Sequence, residues 1–115
     1  GTDASRLAMV LAVLERKCGL ELSTCDVFVN VAGGLRVDEP PVDLAVALAV
    51  ASSLRDVPLA PRLVAFGEIG LAGEVRSVPR LEARVAEARA MGFTDLVTPE
   101  TIKTVAQALA KTGLV

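Results

Sequence analysis

The chain has 115 residues, with 12 Lys+Arg against 14 Asp+Glu, no His, two Cys, no Trp or Tyr and three Phe. Without imidazole it can build no Ser-His-Asp triad, no Cys-His dyad and no His-ligated metal, and two thiols alone cannot complete a structural zinc site. A formal charge of −2 gives no global pull onto nucleic acid, and the scarcity of aromatics argues against base-stacking platforms, so any such contact must come from a local patch.

The length predicts one domain over 1–115, large enough to bury a core without staples. The apolar share is 52% and mean hydropathy is +0.53, both high for a domain of this size. No apolar run approaches the roughly 20 residues of a membrane span, and the opening Gly-Thr-Asp lacks the basic start of a signal peptide. The expectation is a cytoplasmic chain with no membrane partner, whose excess apolar surface is covered by a subunit or neighbouring domain. Cys18 and Cys25 are expected as reduced thiols, with a regulatory disulfide as the lesser alternative.

Residues 3–17 read as a helix. Asp3 or Ser5 can cap it, and Leu7, Val10, Leu11 and Leu14 recur at helical spacing. Residues 26–32 read as a strand, broken or bulged at Gly33-Gly34. Asp38-Glu39-Pro40-Pro41 signals a helix start, with Asp43 in the first turn opposing the positive helix end. Residues 41–54 are apolar nearly all round and predict the central core helix.

Pro58 and Pro61 mark a loop, Leu63 to Phe66 a short strand, and Glu74 to Val78 a second, the two joined by a loop bent at Gly67, Gly70 and Gly73. Pro79 opens a helix over 79–91 with Leu81, Val85 and Ala88 inside. A strand follows over 95–98, and Pro99 begins the last helix, which ends at Gly113. The order α-β-α-β-β-α-β-α predicts a mixed α/β or α+β layer fold.

Chemistry is sparse. The three glycines spaced by three lack the Gly-Lys-Ser/Thr ending of a phosphate loop and lead into a strand rather than a helix. A Ser-Lys dyad is the one hydrolytic mechanism the composition leaves open, but Lys17, Lys103 and Lys111 all lie at helix ends or on polar faces. Glu68 and Glu74 flank the glycine loop, and Asp38, Glu39 and Asp43 cluster at a helix start. Neither group comes with a cleft or metal ligands, so acid-base work by either is not the expectation.

Three motifs in order carry a resemblance: Asn30-Val31-Ala32-Gly33-Gly34-Leu35-Arg36-Val37, then Glu39-Pro40 with Asp43-Leu44-Ala45, then Phe66-Gly67-Glu68-Ile69-Gly70-Leu71-Ala72-Gly73-Glu74-Val75-Arg76. They resemble the C-terminal domain of the bacterial RadA (Sms) family of DNA-repair proteins, a domain similar to the proteolytic domain of Lon. The resemblance implies an α+β, Lon-protease-like (ribosomal protein S5 domain 2-like) layered fold, a mixed sheet packed with helices, and a strand pair before residue 1. It also implies that the protease serine falls on Val42 and the lysine on Glu82, so that no catalytic residue and no metal ligand is expected here. A Lon-like peptidase with a displaced dyad, using Ser52 or Ser53, is the alternative.

The same resemblance implies a parent ATPase that forms a ring, expected to be a hexamer, and acts on branched or single-stranded DNA. ATP, Mg and Zn would be held by other domains, leaving this chain without a cofactor. Arg36, Arg76, Arg80 and Arg84 are the candidate DNA contacts, weighed against a solvated helix face paired with Glu82 and Glu87. Asp43 and Glu68 are the candidate interface residues, with helix capping as the alternative for Asp43.

Overall fold

The protein is described by a computed structural model over residues 2–22 and 39–115. The strand expected over 26–32, the Gly33-Gly34 break, Arg36 and Cys25 lie outside the described residues.

Helix α1 (Thr2–Cys18) sends Val10, Val13 and Leu14 into the core. Past its end the Leu20 N–H returns to the Leu14 carbonyl at 3.1 Å, tucking buried Leu20 beneath the last turns. The helix expected to begin at residue 41 instead opens as a 3-10 turn over Pro40–Val42, and the α-helix α2 runs over Asp43–Arg55. Two successive prolines supply no N–H, and Val42 bonds back to the Glu39 carbonyl at 3.0 Å, so the first turn closes at the shorter spacing. Asp56, in the left-handed region at φ 55°, ends α2.

The expectation of a central helix holds. Leu44, Ala47, Leu48 and Ala51 of α2 are each 0% exposed, and α2 lies against both α1 and α4 (Val105–Lys111). Burying a leucine fully is worth about 1.5–3 kcal/mol, so among the described residues this three-helix contact is a large source of apolar stabilisation.

Two small sheets lie over the helices. Strand β1 (Leu63–Ala65) pairs in parallel with β4 (Asp95–Val97), Val64 opposite Leu96. Strands β2 (Glu68–Ile69) and β3 (Val75–Arg76) form an antiparallel hairpin, Glu68 opposite Arg76 and Ile69 opposite Val75. The expected strands at 63–66 and 74–78 are not joined directly through a glycine loop. The glycine segment contains a strand of its own, and that strand is the true partner of β3. On its other side β3 meets the chain before α4: the Val75 N–H donates to the Lys103 carbonyl at 2.8 Å and the Val105 N–H to Gly73 at 2.9 Å.

Helix α3 (Leu81–Ala90) starts two residues later than Pro79, with Arg80 at φ 59° as its N-cap. The last helix starts six residues beyond Pro99. Thr101 and Ile102 both fold back onto the Thr98 carbonyl at 3.0 Å, and residues 103–105 are then held extended against β3, so helix can form only from Val105. The described residues thus build a small mixed α/β domain of four α-helices and two two-stranded sheets, consistent with an α+β class.

Candidate functional site

The charged groups of the hairpin converge at its base. Arg6 lies on the stripe of α1 that continues through Val10, Val13 and Leu14, so it faces inward. Its Nε donates to Asp43 Oδ1 at 2.8 Å and its Nη2 to Oδ2 at 2.6 Å, a two-pronged pair. Asp43 is 1% exposed and also accepts the Ile69 N–H at 3.0 Å. The same Nη2 lies 3.4 Å from Glu68 Oε2. The guanidinium is held still more firmly protonated than usual, first through its hydrogen bond to Asp43.

Asp43 has an internal role in this structure. Its carboxylate is buried, and α2 has no side-chain cap bond. It welds α1, the start of α2 and strand β2 together. Glu68 is half-buried at the edge of this network. Sequence reasoning missed Arg6, although a signal existed: one cation on the buried stripe of α1 and one carboxylate on the buried stripe of α2, in a chain where unpaired buried charges are prohibitive.

At the tip, the Gly73 N–H closes a turn onto Gly70 at 2.9 Å, and Gly73 takes φ 85°, a conformation open to glycine at little cost. Glu74 folds its carboxylate over the turn. It accepts the Ala72 N–H at 3.1 Å and, through Oε2, Nε and Nη2 of Arg76 at 3.1 and 2.7 Å. A Cβ at residue 70 would displace that carboxylate from its place over the turn. The Arg76 hydrogen bonds hold the Glu74 carboxyl below the usual carboxylate range.

The DNA-contact candidates therefore differ. Arg76 is exposed but already neutralised by Glu74, with Glu68 across the strand pair. Arg80 is exposed and, among the described residues, its side chain has no hydrogen-bonded or ion-paired partner; Arg84 spends its Nε on the Pro79 carbonyl at 2.9 Å rather than on a glutamate. Arg80, the N-cap, and Arg84 flank the first turn of α3, the Arg84 N–H bonding to the Arg80 carbonyl at 3.0 Å. Arg36 lies outside the described residues. Of the displaced-dyad serines, Ser52 donates to the Val57 carbonyl at 2.6 Å and Ser53 is exposed. Val42 ends the 3-10 turn and Glu82 is exposed in the first turn of α3. Among the described residues no three His, Cys, Asp or Glu side chains are grouped to hold a metal, and no helix is long and apolar enough to cross a membrane.

Residues 4–102 match a family described as subunit ChlI of Mg-chelatase. The chain belongs to this family. The chain is also similar to proteins named DNA repair protein RadA: 54% identical over 99 residues to that of Salmonella typhimurium, 52% over 99 to that of Escherichia coli and 47% over 100 to that of Streptococcus pyogenes serotype M1. These alignments take in 86–87% of this chain and 22% of each relative. The chain therefore spans about a fifth of the length of the relatives it matches, and the resemblance read from its three motifs is sustained over most of its length.

Proposed function

We propose that this chain is the non-catalytic, Lon-like domain of a RadA-type DNA-repair ATPase, serving as a scaffold for a ring, by expectation hexameric, and as an auxiliary surface for branched or single-stranded DNA. The observation that carries this reading is the 47–54% identity to proteins named DNA repair protein RadA. Valine and glutamate at positions 42 and 82 support the absence of a peptidase, since Val42 carries no nucleophilic atom and Glu82 no amine. ATP, Mg and Zn chemistry is assigned to the rest of the parent protein.

Among the arginines the geometry favours Arg80 and Arg84 over Arg76. A phosphate gains little from a guanidinium whose charge is already met by Glu74. The expected outcome is weak, salt-sensitive binding of a single-stranded oligonucleotide, measured by fluorescence anisotropy. Arg80→Glu with Arg84→Glu should weaken it at least fivefold and make the dependence on salt shallower. Arg76→Glu should matter less. Equal losses at all three positions, or none at Arg80 and Arg84, would remove the α3 face from the reading. For the scaffold role, sedimentation of the purified chain should show association that grows with concentration, and a strict monomer throughout would count against it.

A further inference from the structure

Beside β4 runs a groove of about 370 Å³ that the reading above does not use. Thr94, Asp95, Leu96 and, past Val97, Thr98 line it. Neighbouring strand residues point to opposite faces of a sheet, so a groove that touches both Asp95 and Leu96 runs along a strand edge.

The hydrogen bonds identify that edge. Asp95 donates its N–H to the Arg62 carbonyl at 3.1 Å, and Val97 accepts from the Phe66 N–H at 3.1 Å. In a parallel pair this commits Asp95 and Val97 to β1 and turns the N–H and C=O of Leu96 outward. No group among the described residues takes up either one. Helix α3 contributes Val85 and Arg89 to the groove, and Lys111 at the end of α4 also lines it. With Asp95 and Glu100 the lining holds two cations and two carboxylates. None of the four side chains has a hydrogen-bonded or ion-paired partner among the described residues.

We propose that this groove captures an extended peptide by strand addition to β4. The open Leu96 backbone supplies main-chain hydrogen bonds, Val85 and Leu96 an apolar floor, and the four unpaired charges a preference for a segment carrying both an acidic and a basic side chain. The mixed sign distinguishes this occupant from nucleic acid, whose phosphates Asp95 and Glu100 would repel.

The probe is an acetylated and amidated Glu-Val-Thr-Val-Lys peptide titrated into the whole chain and followed by amide NMR. Resonances of residues 94–98 should shift, and exchange of the Leu96 amide should slow severalfold. A peptide of the same charge with both valines replaced by proline loses two N–H donors and should bind at least tenfold more weakly. Leu96→Pro removes the outward donor together with part of the floor and leaves the bonds to β1 intact, so it should weaken the first peptide well beyond Leu96→Ala, which trims the floor alone, while keeping the spectrum of a folded chain. Equal binding of both peptides would reduce the effect to charge and overturn the proposal. So would shifts centred elsewhere, no shift at millimolar peptide, or a Leu96 amide already protected by self-association without peptide.

Discussion

Arg6 and Asp43 are an asymmetric pair. The Arg6 side chain keeps 23% of its surface in contact with solvent, whereas that of Asp43 keeps 1%. Removing either partner breaks the two bonds between them, but the group left behind differs. A stranded guanidinium can turn to water. A stranded carboxylate stays buried with, among the described residues, only the Ile69 N–H to hold it. Arg6→Ala should therefore destabilise the chain by about 3 kcal/mol, near the low end for a broken buried pair. Adding Asp43→Asn to Arg6→Ala should restore part of that loss, because the amide oxygen can still accept from Ile69 while the uncompensated charge is gone. Urea denaturation of the two single variants and the double decides the matter. A double variant no more stable than Arg6→Ala would show that charge burial is not what couples the two residues.

The elements that the sequence foretold are those whose signals are local. Helical spacing in α1, the all-round apolar run of α2, and the Pro-to-Gly span of α3 each carry their own period and stop. The elements misread depend on partners distant in the chain. Strand β2 has two residues between glycines and no visible alternation; it exists because β3 lies opposite and because Asp43 fixes the Ile69 N–H. Helix α4 starts later than Pro99 predicts: Pro99 is a legitimate helix opener, yet extended pairing of residues 103–105 with β3 wins over that local preference. Thr104 then takes the capping role, with extended backbone and its hydroxyl accepting the Gln107 N–H at 3.1 Å. The site divides in the same way: Asp43 and Glu68 were visible as charges at conspicuous positions, while Arg6 was hidden inside a well-formed amphipathic helix. Thr104→Ala should cost about 1 kcal/mol and Thr104→Ser much less. Thermal unfolding of the two variants tests this, and equal losses would mean that the methyl group, not the cap, is what Thr104 supplies.

Across the molecule, stability is unevenly distributed. Helices α1, α2 and α4 share one core of fully buried leucines and valines, among them Leu14, Leu48, Val105 and Leu109. Helix α3 buries only Ala88 and rests Leu81 and Val85 half-covered on the flank. The N-cap of α3 is Arg80 in a left-handed conformation without a side-chain cap bond, so its first turn is also poorly closed. An element held by so little apolar area opens without unfolding the rest. Amide exchange should therefore be fastest through α3 and slowest in the middle of α2, around Ala47 and Leu48, where opening requires disrupting the three-helix core. Replacing Ala88 by Gly, which removes the buried methyl of α3 and lowers its helix propensity, should speed exchange in α3 by an order of magnitude or more and leave the α2 amides nearly unchanged. If α2 accelerated in step with α3, the two would open as one unit, and the flank that carries Arg80 and Arg84 would be as firmly built as the core.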